Sequence, residues 1–584
     1  MSLNDANVRV VRPLAGASMV GCLVVAGWLA APPLAAETCN SMWQLKEHIL
    51  TGRPCAAIAD PHDSPPRPAP GVGLPDGKLF AKYLPKCQDG TNVCAPADEV
   101  RCVDGTRSLI HVDKAVDAAG IDIESDQWVF YVQGGGACTD PQECWNTYPF
   151  KLSEMSTERA PLWLGPGGIL RSDPSSAFSG YNRVRLYKCT YDWFAGNASY
   201  VGEPVNGGAD VVNVALHGRR LWSGTFATLA AAPGITFEDE SCLEGVECNS
   251  LPPLSDATRI LLVAWSAGAR GLIHQVDALT AELAALAPNA DVRTVLDGRF
   301  PAMLDVEAVV TGRAVSIYDQ NRDPGDLPAV AWDGTTDDRF SVDKYCADPA
   351  IAEPACTLGV QGVWNQMHRG FALDLDASCL AAHPESTDPA PCNDAYHVLA
   401  NHVTTPFFIR MGLRDTAYLD LNSDPMSGDD LLATAEFWHG GVPDQKGDKA
   451  SWYRWEEDDF RDRVRVQALD VAYLLRTDSE LATGADPSFL GGFPAGWSFG
   501  LYLPDATKHD GVTDTVQFTT DLLKLCRDGD GDGVYESLVG SRSTETAIEL
   551  WLDGPQGFDL PHVAGDRFGE YAVLPWDDFS EPCS

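Results

Sequence analysis

Basic residues are scarce. The 584-residue chain holds 42 Lys and Arg against 83 Asp and Glu, a formal net charge of −41. That imbalance excludes a general nucleic-acid or anionic-membrane binder, and it repels polyanionic substrates at long range. Also missing is any C-x-x-C pair or Cys/His set with finger spacing, which removes structural zinc as the use of the cysteines. No second apolar run of membrane-spanning length follows the first, and no internal repeat occurs.

What is present is a globular composition, 45% hydrophobic and 21% charged, enough to bury a sizeable core. Of 17 cysteines, Cys22 lies in the N-terminal apolar run, which leaves an even number. Cys87 and Cys94, Cys138 and Cys144, Cys242 and Cys248, Cys346 and Cys356, and Cys379 and Cys392 are each spaced to close a small loop. Such staples persist in an oxidising compartment, so the chain is expected to be secreted or periplasmic. The N-terminus agrees: Arg9 and Arg12 precede an apolar stretch from Leu14 to Ala31 and the small residues Pro32-Pro33-Leu34-Ala35-Ala36. Residues 1–36 therefore read as an export signal, with a signal anchor as the alternative. Once the signal is removed, no stable membrane insertion is expected.

Residues 37–77 include the Pro-rich DPHDSPPRPAPGVGLPDG, which cannot hold a regular helix and reads as an arm or linker. A catalytic domain is expected over 78–526, with an insertion at about 420–494 that includes a helical stretch near Val464 to Leu475. An acidic C-terminal extension, 527–584, follows. Four apolar runs, Trp128–Val132, Arg259–Trp265, Pro406–Met411 and Trp497–Leu503, each lead directly into residues with chemical capacity. Open parallel sheets place their sites at the carboxyl ends of strands. A mostly parallel α/β sheet with helices on both faces is the expected architecture.

Ser266 sits where the strand run Ile260–Val263 gives way, through Trp265-Ser266-Ala267-Gly268, to the helix-like Ala269–Leu283. A serine at such a turn has its hydroxyl held over the sheet edge, and the following amide points where an oxyanion forms. The competing reading is a serine that only caps the helix. Gln133-Gly134-Gly135-Gly136-Ala137-Cys138, after the earlier run Val129–Val132, tips the balance, since a glycine triplet brings backbone N–H groups close to a reacting carbonyl. Serine needs a histidine base and a carboxylate partner, expected in the order Ser, acid, His. Asp415, in FFIRMGLRDTAYLD, is preferred as the acid over Asp297 in VRTVLDGRF, and His509, in LYLPDATKHDGVTD, as the base. His439 and His562 are rivals, His402 falls at the wrong end of its strand, and His274 is a packing residue two turns along the nucleophile helix. The run Thr513–Leu525 is expected to be helical.

With VQGGGACTDPQEC, AWSAGARG, IRMGLRDTAYLD and KHDGV in view, the chain resembles the pectin acetylesterase and Notum family of secreted α/β-hydrolases over about Lys78 to Cys526. The resemblance implies an α/β-hydrolase-like sheet with large disulfide-stapled loop insertions and a disulfide between Cys138 and Cys144. It also implies Ser266 as nucleophile, Asp415 as acid, His509 as base, and the amides of Gly135, Gly136 and Ala267 as oxyanion donors, with no catalytic cofactor. Ala264 replaces the usual glycine two before the serine, and the interval from Asp415 to His509 is longer than usual. Gly136 stands where relatives often carry an aromatic residue, which implies a wider acyl pocket or a looser oxyanion loop.

The implied substrate is an acyl ester, above all acetyl groups on polysaccharide, with fatty-acyl esters as the alternative. Peptidase or thioesterase action is a rival within the class. A secreted, calcium-stabilised binding protein without catalysis is the rival outside it. Calcium enters through RDGDGDGVYE, where Asp528, Asp530 and Asp532 alternate and Gly533 permits a sharp turn. Val539 occupies the position of the bidentate acid, so the segment reads as a partial calcium loop or as an acidic solvated turn.

Overall fold

The computed structural model describes residues 41–58, 79–84, 100–230, 251–298, 372–412, 499–502, 510–553 and 572–573, apart from short gaps within these ranges. Its strands are β1 (Leu79–Tyr83), β2 (Leu109–Asp113), β3 (Gln127–Val132), β4 (Trp163–Leu164), β5 (Asn182–Leu186), β6 (Ala198–Val205), β7 (Asp210–Leu216), β8 (Arg259–Trp265), β9 (Asp291–Asp297), β10 (Phe407–Arg410), β11 (Phe499–Tyr502), β12 (Leu523–Asp528), β13 (Tyr535–Arg542) and β14 (Ala572–Val573). Ten of them form one sheet in the order β14-β11-β10-β9-β8-β3-β5-β2-β1-β4. From β14 to β5 every pairing is parallel, and the β5–β2, β2–β1 and β1–β4 pairings are antiparallel. The expected mostly parallel α/β sheet is thus present, and the four apolar runs are its strands β3, β8, β10 and β11.

These strands are apolar without interruption because helices cover both faces. Trp128, Phe130 and Val132 of β3 and Ile260, Leu262 and Ala264 of β8 point to one side. There they pack on α1 (Gly218–Ala230) and α2 (Ala267–Leu286), through Trp222, Phe226, Leu272 and Val276. The alternate residues Val129, Tyr131, Leu261 and Val263 point to the other side, against Phe518 of α3 (Thr515–Thr519) and Ile548 and Trp551 of α4 (Thr544–Asp553). Period-two alternation therefore survives in which helix each residue meets, although both faces are hydrophobic.

Two expectations change. Thr513–Leu525 is not one helix: α3 ends at Thr519, and Leu523–Asp528 forms β12, paired antiparallel with β13. Its strand partner lies later in the chain, and cross-strand pairing overrides the local helical spacing. The boundary at Cys526 falls within β12, and the chain beyond it is no detached extension, because α4 seals one face of the sheet and β14 pairs with β11. At the other end, within the expected arm, residues 42–51 form a helix whose Met42 and Leu45 are buried.

Disulfides Cys138–Cys144 and Cys379–Cys392 have the short spacings read from the sequence. Cys102–Cys189 spans 87 residues and has no such local signal. The other proposed pairs, residues 1–36, the 420–494 insertion with its helical stretch, His439 and His562 lie outside the described residues. No described helix is long and apolar enough to cross a membrane.

On β2 the fully buried His111 places Nε2 2.8 Å from the Pro161 carbonyl, which requires that nitrogen to donate. Burial pushes its pKa down to about 4, and Arg185 nearby adds to the effect. An imidazole whose folded pKa is depressed stabilises the fold above the unfolded value, about 6.5, and loses that contribution as pH falls towards 4. His111→Gln, which stays neutral, is expected to lose less Tm between pH 6.5 and 4 than the unaltered chain. Identical Tm-against-pH slopes for the two proteins would refute the assignment.

Candidate active site

The carboxyl ends of β3, β8 and β9 meet at Ser266, with that of β10 beside β9. It joins β8 directly to α2 with φ 55° and ψ −120°, a left-handed conformation that a non-glycine residue adopts only under constraint. Its amide donates to the Asp297 carbonyl at 2.8 Å, and the Arg270 amide donates to its carbonyl at 3.1 Å. Ser266 makes no side-chain capping hydrogen bond to α2, so the cap reading loses its main support. The hydroxyl is buried at the head of a 20-residue helix. There the helix dipole and free N–H groups favour developing negative charge. Ala264, in place of glycine, is buried in the strand opposite Val132, where a methyl fits.

The glycine loop after β3 lies against this turn. A Cβ on Gly134 would stand 2.6 Å from Ser266 Cβ and 3.1 Å from its Oγ. Gly135 has φ 127°, and the space a side chain would take is filled by the Lys188 ammonium and the Glu154 carboxylate. Gly136 is similarly filled, by the Tyr191 phenol. The aromatic bulk absent at Gly136 is supplied there by Tyr191, from another segment. Ala267 begins α2, immediately after Ser266.

Charges and strain surround the loop. Lys188 is buried and paired with Glu154, with its ammonium 4.9 Å from the Tyr191 ring centroid; burial pulls its pKa down to about 8. Tyr191, Trp193 and Phe194 all have positive φ, at 47°, 58° and 60°. Asp192 sustains that turn. One carboxylate oxygen accepts from Thr190 Oγ1 (2.6 Å) and the Phe194 amide (3.1 Å), the other from the Gly218 amide (2.7 Å), while burial pushes its pKa up to about 7. The Cys138 amide donates to the Tyr191 carbonyl at 3.0 Å, so the turn buttresses the glycine loop. The Arg270 guanidinium, one turn into α2, lies 4.2 Å from the Trp193 ring centroid. Sequence reasoning missed Glu154, Lys188, Tyr191, Asp192 and Arg270; the only local sign was the aromatic-acidic run Tyr191-Asp192-Trp193-Phe194.

Asp297 ends β9 beside the serine, fully buried, with an ion pair to Arg410 at 3.1 Å. Its other oxygen accepts from the Gly511 and Val512 amides at 2.8 and 2.9 Å. Burial raises its pKa to about 6 against the pull of Arg410. Asp415, just past β10, and His509, next to Asp510, lie outside the described residues, so they cannot be placed relative to Ser266. His402 hydrogen-bonds Ser378 before β10 begins, at the edge away from Ser266, and His274 is buried within α2. Asp528 closes β12, whereas Asp530 and Asp532 lie outside the described residues. Among the described residues no group of three or more His, Cys, Asp or Glu is gathered to hold a metal.

The family model described as pectinacetylesterase matches residues 90–320, a span that carries both the glycine loop and Ser266. Over residues 90–320 the chain is thus similar to pectinacetylesterases. The matched segment ends before Asp415 and His509. Pectin acetylesterase 7 of Arabidopsis thaliana is 26% identical over 155 residues, which cover 26% of this chain and 35% of that protein. The chain thus matches about a third of the length of that curated relative. Among solved structures, the Wnt deacylase Notum from Drosophila is similar at 15% identity in two crystal forms. In one the TM-score is 0.42, covering 76% of this chain and 88% of the other, and in the second it is 0.44, covering 81% and 92%.

Proposed function

We propose that this chain is an exported serine carboxylesterase that releases small acyl groups, acetyl above all, from polysaccharide by a two-step acyl transfer. The observation that carries the reading is Ser266, held in a left-handed turn between β8 and α2 and packed on the glycine loop. In the first step His509 takes the hydroxyl proton as Ser266 Oγ attacks the ester carbonyl. Asp415 fixes the tautomer of the imidazole and stabilises its charged form. The amides of Gly135, Gly136 and Ala267 receive the oxyanion, and the Lys188–Glu154 ion pair packed beside Gly135 holds that loop in place. The alcohol leaves with the proton from His509, and water then releases the acid by the reverse sequence.

The order of elements supports the two unplaced partners. Asp415 follows β10 and His509 follows β11, the next two strands beyond β9 in the row that starts from the strand of Ser266. The disulfides support export, since they require oxidising conditions to persist. Tyr191, closing the space beside Gly136, supports a short acyl group over a fatty one.

The test is hydrolysis of p-nitrophenyl acetate and p-nitrophenyl palmitate by the chain without residues 1–36, compared with its Ser266→Ala variant. Turnover of the acetate that vanishes in the variant, with little on the palmitate, is expected. If no ester turnover depends on Ser266, the proposal fails; if the palmitate is preferred, the acetyl assignment fails and the esterase assignment stands.

A further inference from the structure

Asp297 is, by sequence, a rival for the triad acid, and its surroundings give it different work. Its carboxylate is fully buried at the carboxyl end of β9, between the strand that delivers Ser266 and the strand that leads to Asp415. One oxygen faces the Arg410 guanidinium at 3.1 Å, and the other accepts the consecutive amides of Gly511 and Val512 at 2.8 and 2.9 Å. The main chain of the same residue is engaged as well. Its carbonyl receives the Ser266 amide at 2.8 Å, and the next amide, of Gly298, donates to the Arg410 carbonyl at 2.9 Å. Both oxygens thus serve groups other than an imidazole.

We infer that Asp297 is a positioning residue for the acyl transfer proposed above, tying the segment that follows His509 to the turn that carries Ser266. The inference rests on that reading of the reaction. Gly511 and Val512 come directly after Asp510, itself the neighbour of His509, so the two amides held by Asp297 fix the chain immediately after the histidine. Further contacts keep this segment in place. The Thr513 amide and hydroxyl donate to the Asp510 carboxylate, and the Ile169 amide donates to the Val512 carbonyl at 2.8 Å. The Arg410 guanidinium fills the space a Cβ on Gly511 would occupy. Through Asp297, one carboxylate fixes the spacing between the nucleophile's strand and the base's arm. Misplacing reacting groups by about 1 Å costs on the order of 100-fold in rate.

The inference is tested by steady-state kinetics on p-nitrophenyl acetate with Asp297→Asn, Gly511→Ala and Asp415→Asn, with the fold of each checked by near-UV circular dichroism. Asp297→Asn leaves a single acceptor for three donors, and Gly511→Ala pushes the segment off Arg410 while leaving Asp297 intact. Both are expected to lower kcat by roughly 10- to 100-fold with KM within about 3-fold. Asp415→Asn is expected to lower kcat by on the order of 10⁴-fold. Unchanged kcat in folded Asp297→Asn overturns the inference. So does a loss in Asp297→Asn as deep as that expected of Asp415→Asn, together with an active Asp415→Asn, which would make Asp297 the acid itself. If Asp297→Asn does not fold, Gly511→Ala decides alone: an unchanged kcat overturns the inference and a kcat-selective loss upholds it. An unaltered chain with no Ser266-dependent turnover would instead defeat the esterase reading.

Discussion

Ser266→Gly is expected to abolish ester turnover and yet melt at a higher temperature than Ser266→Ala. Both variants lose Oγ, so both should lose on the order of 10⁴- to 10⁶-fold in kcat, the range seen when a nucleophile that works with a base and an acid is removed. They differ in the backbone. At φ 55° and ψ −120° a residue with a Cβ carries about 1–3 kcal/mol of strain, which alanine keeps and glycine releases. Glycine gives back about 0.5–1 kcal/mol through the greater freedom of the unfolded chain, leaving a net gain of about 1 kcal/mol. The side chain is buried but small, so little packing is lost. Differential scanning calorimetry on the two variants checks this, and equal melting temperatures would mean that the turn stores no strain.

The second large effect is expected at Gly134→Ala. A methyl there would meet Ser266 Cβ at 2.6 Å, and the atoms it meets belong to a turn fixed by the Asp297 carbonyl and by α2. Neither side can yield by rotating a long side chain, so the backbone must move. Overpacking of this kind costs about 1–3 kcal/mol in stability. The kinetic cost is expected to be larger, roughly 100- to 1000-fold in kcat, because the displaced parts are the proposed nucleophile and the loop proposed to receive the oxyanion. Retention of more than about a tenth of kcat in a folded Gly134→Ala protein would show that the loop does not constrain the serine.

The parts of this fold legible in the sequence are those whose cause is local. β3, β8, β10 and β11 are short apolar runs that break into polar or glycine-rich turns, and the turn at Ser266 is marked by small neighbours between a strand and a helix. Cys138–Cys144 and Cys379–Cys392 are legible for the same reason, since each closes a short loop. Features set by distant contacts were not legible. β12 is a strand because β13 lies beside it, and α4 belongs to the core because Trp551 meets Phe408 across the sheet face. Three left-handed residues from Tyr191 to Phe194 contradict local preference, and the buried carboxylate of Asp192 with its three donors helps hold the turn. Within the site, the sequence separated a candidate nucleophile from candidate acids. It had no means of showing that Asp297 already has its two oxygens engaged.

The bond between Cys102 and Cys189 joins the approach to β2 with the start of the aromatic turn, and everything from β2 through β5, glycine loop included, lies on the ring it closes. A ring of 87 residues removes about 4–5 kcal/mol of freedom from the unfolded chain, the largest such effect among the three described bonds. Manufacture is constrained accordingly. A host that makes this protein in a reducing cytosol starts with that ring open, so yield of active protein should follow the oxidising capacity of the compartment more closely than the rate of synthesis.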